Sequence, residues 1–338
     1  MSAVPVRAWS ALTGLPVTPF ADGGLINDTY TAGDPPVYAV QRVNARVFAP
    51  TVHQDIDAVT RHVAARGLVT PRLVPTDTGE LCHITPEGEI WRVMTWVPGV
   101  TVQRVDGPAR AREAGALVAR FHTAVDDLDW SYRHVRPGAH NTVAHMDSLE
   151  RAMRPGLGLE VADGILEAWR TWAGRMDLPE RHAHGDLKLS NLRFDADGRG
   201  VCLIDLDTLA RLSLDVELGD AWRSWCNPVG EDSAEPWFDL DVFEASASGY
   251  LSVRAITDEE AEALVSGIER ICLELASRFC RDVWENRYFG WNPKFGSRAA
   301  HNLHRARGQL ALAVSLRSRA AEAQRRLASA RAGAPPVG

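Results

Sequence analysis

Lysine is almost missing from this chain. Of its 37 basic side chains only Lys188 and Lys294 are lysine, and the other 35 are arginine. The first 187 residues hold no ammonium group, so any anion binding there falls to arginine or to neutral donors. No run of 18 or more apolar residues occurs, which leaves no membrane-spanning helix to expect. The first residues lack the apolar centre of a secretory signal. The five cysteines (Cys82, Cys202, Cys226, Cys272, Cys280) are odd in number and form no C-x-x-C pair. Buried free thiols in a reducing cytoplasm are the expectation. Neither a Walker G-K-[ST] nor a G-x-G-x-x-G is present, so the P-loop and Rossmann readings lose their main support. The net charge of −7 argues against a sequence-independent grip on nucleic acid. The 338 residues, 45% hydrophobic and 24% charged, suit a globular protein large enough for two lobes. There is no internal repeat, and the oligomeric state stays open.

One stretch organises the rest. His184-Gly-Asp-Leu-Lys-Leu-Ser-Asn191 reads H-G-D-x-x-x-x-N, and a short apolar strand follows it into Asp205-Leu-Asp207. Asp186 can accept the proton of an attacking hydroxyl, while Asn191 and Asp205 offer hard oxygens to magnesium. A scarce lysine, Lys188, falls inside this loop, where its ammonium could reach a transferring phosphoryl group as a point charge. Together these groups meet the needs of ATP-dependent phosphoryl transfer, in which magnesium neutralises charge on the phosphates. Either motif alone could be an ordinary surface turn. The two in order, joined by a hairpin over residues 193–201, are far more specific. The spacing from Asp186 to Asn191 is that of the protein-kinase catalytic loop, with Gly185 in place of arginine. H-G-D followed by D-x-D resembles the branch of that fold holding the aminoglycoside phosphotransferases, choline kinases and sugar kinases.

Upstream, residues 1–21 read as a helical or irregular lead-in with Trp9 and Leu12 packed. Glycines at 23 and 24 open a hairpin whose second strand is Val37 to Val43, a candidate cover for phosphates with Gly24, Asn27 and Thr29. Protein kinases carry a lysine on the next strand; here Gln41 stands there. Either Gln41 meets phosphate as a neutral donor, or Lys188 and a metal do more of the neutralisation. Arg42 alternates to the opposite face. Residues 51–67 are helical. Asp55 and Asp57 on that helix read as a solvated face, and His53 and His62 as surface histidines. Ile90 to Val97 is a buried strand that breaks at Pro98-Gly99. In a two-lobed kinase that break is the hinge, where backbone near Thr95 to Val97 meets adenine. His122 on the following helix reads as a satisfied core histidine. Asp220 could brace the catalytic loop or simply pair with Arg223, one helical turn away. Thr257 to Glu260 is a capping box. A last helix over about 297–331 has a polar end expected to project or fray.

A closer resemblance runs from about residue 15 to 315. Gly24-Leu-Ile-Asn-Asp-Thr-Tyr30, Val40-Gln-Arg-Val-Asn44, the H-G-D and D-x-D segments, Leu218-Gly-Asp-Ala-Trp-Arg223, Arg278-Phe279 with Tyr288-Phe289, and His301-Asn-Leu-His-Arg-Ala-Arg307 resemble the N-acetylhexosamine 1-kinase group. Gln41 also fits that group. The resemblance implies phosphorylation of the anomeric hydroxyl of N-acetylglucosamine or N-acetylgalactosamine by ATP with magnesium, with Arg278 and Tyr288 near the sugar. The segment from Arg278 to Phe289 is about one residue shorter than the pattern.

The resulting expectation is an α+β, two-lobed, protein-kinase-like fold. Residues 1–97 form a β-rich nucleotide-covering lobe, 98–332 a helical lobe with the catalytic loop and acceptor site, and 333–338 a disordered tail. Asp186 and Lys188 are the expected catalytic residues, and Asn191 and Asp205 the expected metal ligands. Gly24, Asn27, Thr29, Gln41, Thr95 and Val97 would line the nucleotide. Asp186, Arg278 and Tyr288 would meet the acceptor, with His184, Asp207 and Asp220 in support. The expected partner is a small-molecule acceptor, not nucleic acid or membrane. Two alternatives stay open. One is an aminoglycoside or other small alcohol as acceptor, with Asp232, Glu235, Asp239 and Asp241 facing its cationic groups. The other is an idle nucleotide-binding kinase fold.

Overall fold

The computed structural model describes residues 4–20, 26–136, 138–233 and 235–334. Strands β1 (Val17–Pro19), β2 (Asp28–Ala32), β3 (Tyr38–Val43), β4 (His83–Ile84) and β5 (Ile90–Thr95) form one antiparallel sheet in the order β1-β2-β3-β5-β4. Helix α1 (Val52–Ala65) joins β3 to the rest of the sheet. Strand β1 was not foreseen; it lies in the lead-in, behind the buried Trp9 and Leu12. The sheet is covered on both faces, so β5 is buried along nearly its whole length. Its alternation still sorts the side chains. Trp91 and Val93 pack with Trp9, Leu12 and Val40, while Ile90 and Met94 pack toward Phe48 and Ile56. Arg92 therefore lies on the α1 side of the sheet, in the middle of an apolar stripe.

After Thr95 the chain passes Pro98-Gly99 and turns helical: α2 (Pro108–Val125), α3 (Thr142–Ala152) and α4 (Leu159–Arg170). Two small hairpins follow, one pairing β6 (Glu180–Ala183) with β9 (Ala210–Ser213), the other β7 (Leu192–Phe194) with β8 (Gly200–Leu203). Helices α5 (Leu214–Trp225), α6 (Leu240–Leu251), α7 (Asp258–Glu285), α8 (Arg298–Ser318) and α9 (Ala320–Ala332) complete the chain. This is the expected α+β arrangement of a sheet lobe and a larger helical lobe. The capping box of α7 forms: Thr257 Oγ1 accepts from Glu260 N at 3.1 Å and Glu260 Oε2 from Thr257 N at 2.9 Å. A cap of this kind stabilises by about 1 kcal/mol. Helices α2 and α6 cross at backbone contact, since a Cβ on Gly115 would lie 1.9 Å from Ser246 O.

Three expectations change. The last helix is two, broken at Arg319, and its distal part does not project: Ala323 and Leu327 are buried, and Arg326 bonds Asp241, Glu244 and Glu322. Its arginines shield an apolar face that a polar composition concealed. Of the two acids of α1, Asp57 is partly exposed beside Arg61 and Asp55 is not solvated. Asp55 is 1% exposed and accepts from Trp130 Nε1 (2.9 Å), Arg133 N (2.8 Å) and His134 N (2.8 Å), which ties α1 to the helical lobe. His53 is buried as well, with Nδ1 2.8 Å from Pro50 O, and burial pulls its pKa down to about 4. Of the segment expected to be disordered, residues 335–338 lie outside the described residues, as does Gly24. Among the described residues no helix is long and apolar enough to cross a membrane, and all five cysteines are free, four of them buried.

Candidate active site

The H-G-D segment leaves β6 as a tight loop and re-enters the fold through one helical turn, Leu189–Asn191. Its shape explains the glycine of H-G-D. Gly185 has φ +78°, and a Cβ there would lie 2.4 Å from Thr208 O, so a side chain would be both strained and blocked. Thr208 Oγ1 also donates to His184 O (2.9 Å), and the Trp225 indole N–H to Leu187 O (2.6 Å). Beneath the loop lies Glu217 on α5, 2% exposed. Its oxygens accept from His184 N (2.7 Å) and Gly185 N (3.0 Å), and His122 Nε2 lies 3.2 Å away. Burial pushes this carboxyl up, but the His122 contact, the field of His184 and the backbone donors outweigh it and its pKa falls. Of the two roles open to Asp220, bracing the loop or pairing with Arg223, the structure shows the pairing. The two lie 2.9 Å apart, and the backbone N–H groups of His184 and Gly185 go to Glu217. The signal was present in Asp215-Val-Glu217-Leu, a carboxylate set among core residues of a helix.

Four groups then converge. Lys188 Nζ lies 2.7 Å from Asp186 Oδ2 and 3.9 Å from Asp205 Oδ2. Asn191 Nδ2 donates to Asp186 O (2.9 Å) and Oδ2 (3.0 Å), which turns its amide oxygen away from Asp186. Burial pulls the Lys188 ammonium down, yet Asp186 and Asp205 together hold its pKa above the usual lysine value. Asp205 has left-handed backbone, φ +62°. Burial and then the Asp207 charge raise its pKa, and Lys188 offsets this only in part. At 3.9 Å that ammonium is beyond hydrogen-bond reach, so Asp205 is a partly buried carboxylate short of positive charge. A hard cation fits such a donor set of Asp205 and Asn191 oxygens.

On the sheet side, Asn27 Nδ2 donates to Asp207 Oδ2 (2.7 Å) and Gln41 Nε2 to Thr29 Oγ1 (3.1 Å). Gln41 Oε1 accepts from Arg92 Nε (2.8 Å), and Arg92 grips both oxygens of Asp207. Arg42 faces the other way and pairs with Asp28 and Glu89. Near the hinge, Thr95 is bonded to Arg72 through its backbone and hydroxyl. The Val97 carbonyl accepts from Arg193 Nη1 at 2.6 Å, so that oxygen is turned into the helical lobe.

Of the residues expected to meet the acceptor, Arg278 lies 6.0 Å from the Tyr288 ring, and Arg136 Nη2 donates to Tyr288 Oη at 3.2 Å. Burial raises the phenol, but these two guanidiniums outweigh it and its pKa drops. The turn that presents Tyr288 is built by Asp282, which sequence reasoning missed. Its carboxylate accepts from the backbone N–H groups of Arg287, Tyr288 and Phe289 and from Asn302 Nδ2. Asp282→Asn turns one acceptor into a donor facing those N–H groups. The expected result is an acceptor KM raised roughly 10- to 100-fold by the displaced turn, with the KM for ATP unchanged in steady-state kinetics. Glu274, His140, His145 and Arg278 form a titratable cluster beside this turn. Asp220 feels both His140 and Lys188, which places this group next to the catalytic loop. Three of the four acids expected to face a cationic acceptor have other partners, and the fourth, Glu235, is exposed. Asp232 holds His301 (2.7 Å) and Arg305, Asp239 caps α6, and Asp241 pairs with Arg326. A cavity of about 430 Å³ between the start of α1 and residues 76–84 contains none of these groups.

Residues 17–256 match the family model of the phosphotransferase enzyme family, APH. A homoserine kinase of Rhizobium meliloti (strain 1021) is 30% identical over 209 residues, 60% of this chain and 60% of that protein; the chain thus spans less than two thirds of that relative's length. An aminoglycoside phosphotransferase structure from Alicyclobacillus acidocaldarius superposes with a TM-score of 0.64 at 16% identity, covering 95% of this chain and 98% of that one. The amicoumacin kinase hAmiN, in complex with AMP-PNP and Ca2+, superposes with a TM-score of 0.60 at 14% identity, over 86% and 87%. At such identities these structures speak for the fold.

Proposed function

The chain belongs to the phosphotransferase enzyme family, and from that premise we propose that it transfers the γ-phosphoryl group of ATP to a hydroxyl of a small polar acceptor. The observation that supports this most is Asp186, half-exposed at the loop tip and oriented by Asn191 and Lys188. In this reading Asp186 takes the proton of the acceptor hydroxyl as its oxygen attacks phosphorus in line. Lys188 then follows the negative charge from the carboxylates to the transferring group, an electrostatic role. Asn191 and Asp205 would hold magnesium, which supplies charge neutralisation on the phosphates. Asn27, Thr29 and Gln41 line the nucleotide side.

For the acceptor we favour an N-acetylhexosamine phosphorylated at its anomeric hydroxyl, bound against Arg278 and Tyr288. The motif order along the chain and the aromatic-plus-guanidinium turn support it. A second reading, a hydroxy amino acid such as homoserine, is favoured by the relatives' names. The paired guanidiniums of Arg136 and Arg278 would suit its carboxylate. Phosphate transfer from ATP with magnesium across free N-acetylhexosamines, their C1-methyl glycosides, homoserine and an aminoglycoside separates these. We expect turnover of a free N-acetylhexosamine and none of its methyl glycoside. Turnover of homoserine alone would replace the sugar reading, and silence with ATP still bound would leave an idle kinase fold.

A further inference from the structure

Phosphoryl transfer of the kind proposed above needs positive charge in the sheet lobe or something that organises the metal in its place. Gln41 carries no charge, and no lysine precedes Lys188. The fold puts a cation one strand away. Arg92 on β5 lies opposite Gln41 in register and is 1% exposed, as buried as its partner Asp207 at 2%. Its Nε–H donates to Gln41 Oε1 at 2.8 Å, Nη2 donates to Asp207 Oδ2 at 2.9 Å, and Nη1 grips the other oxygen. Only a planar fork makes this set of bonds; an ammonium cannot.

Asp207 gathers the rest of the lobe as well. Asn27 donates to the same Oδ2 at 2.7 Å while its own Oδ1 accepts from Asn44 N at 3.0 Å. Gln41, fixed by Arg92, hands its Nε2 to Thr29. Strands β2, β3 and β5 and the chain before β2 thus converge on one carboxylate of the opposite lobe. That carboxylate lies two residues beyond Asp205, across a turn whose first residue is held in left-handed backbone. A tether this short and this buried cannot shift without moving Asp205.

We propose that Arg92 is the positioning residue that stands in for the strand lysine: by clamping Asp207 it sets the D-x-D turn, and with it the Asp205 carboxylate, where magnesium and the nucleotide phosphates meet. The role rests on the phosphotransfer reading and extends it, since Arg92, 1% exposed, acts through Asp207. Residues behind a metal ligand commonly change metal affinity by roughly 10- to 100-fold.

The test titrates AMP-PNP binding to the full chain calorimetrically, without acceptor, in EDTA and over a range of magnesium. Four variants are compared with the wild type: Arg92→Lys, which keeps charge and loses the fork; the double variant Arg92→Gln/Asp207→Asn, which removes both buried charges and keeps amide hydrogen bonds; Asp207→Asn; and Arg42→Gln, which removes a cation from the opposite face. We expect the magnesium needed for half-maximal binding to rise roughly tenfold or more in the first three and stay put in Arg42→Gln. Binding in EDTA should change far less. Melting curves show which variants are folded, and the double variant is there because it strands no buried charge. A folded double variant with the magnesium requirement of the wild type would show Arg92 to be structural only and overturn the proposal. A wild-type chain that bound no AMP-PNP would overturn the phosphotransfer reading, and the role of Arg92 with it.

Discussion

Asp186→Asn should lower turnover by roughly 100- to 10,000-fold, the usual worth of a positioned general base, while AMP-PNP binding stays within a few-fold of wild type. The asymmetry follows from the geometry. The Asp186 carboxylate is bonded to Lys188 and Asn191 at the loop tip, and asparagine can keep the bond to Lys188 through its oxygen. It cannot take a proton from the attacking hydroxyl. Single-turnover kinetics with a working acceptor, alongside calorimetric nucleotide binding, measures both quantities. Near-full turnover would remove Asp186 from the chemistry. A parallel loss of nucleotide binding would mean that its main task is to hold Lys188 and the metal.

Glu217→Ala is expected to be the most damaging change to stability near the site. It strands the N–H groups of His184 and Gly185, which then find no acceptor inside the protein, and it opens a void beneath the loop. At ~1–3 kcal/mol for each stranded group, with the void in addition, the cost is about 3–5 kcal/mol. Against a total stability of about 5–15 kcal/mol, that is a large fraction, and it falls first on the H-G-D loop. The melting temperature should drop on the order of 5–10 °C. The effect has a pH signature. The folded Glu217 carboxyl titrates below the 4.5 of an ordinary glutamate, so the stability it contributes is present above that value and is lost as pH falls through the lower, folded one. The gap between wild type and Glu217→Ala should therefore be full at neutral pH and shrink in acid. A gap independent of pH would mean that packing, not charge, carries the effect.

Much of this site could be read directly from the sequence because its chemistry is local. Asp186, Lys188 and Asn191 fall within six residues, and Asp205 follows after one hairpin, so spacing alone brings them together. The two lobes were legible for the same reason: period-2 segments end at Pro98-Gly99 and helical spacing takes over. Polar side chains on α1 and the last helices were misread. Asp55 looks like any acid on a helix until Trp130, Arg133 and His134, more than 70 residues on, present three N–H groups to it. The Arg-rich end of the chain looks unpacked until Asp241 and Glu244 meet Arg326.

The sequence by itself determined the order of the H-G-D and D-x-D groups, the strand-rich start and the helical remainder. These depend on spacing and on apolar period, which act over a few residues. Only the tertiary structure decided which buried charge belongs to which partner. Glu217 went under the H-G-D loop, Asp282 behind Tyr288, and Arg92 onto Asp207, 115 positions away. A charge withdrawn from water must find its counter-charge or its donors wherever the fold brings them. That pairing is a property of the assembled core, and spacing along the chain does not reveal it.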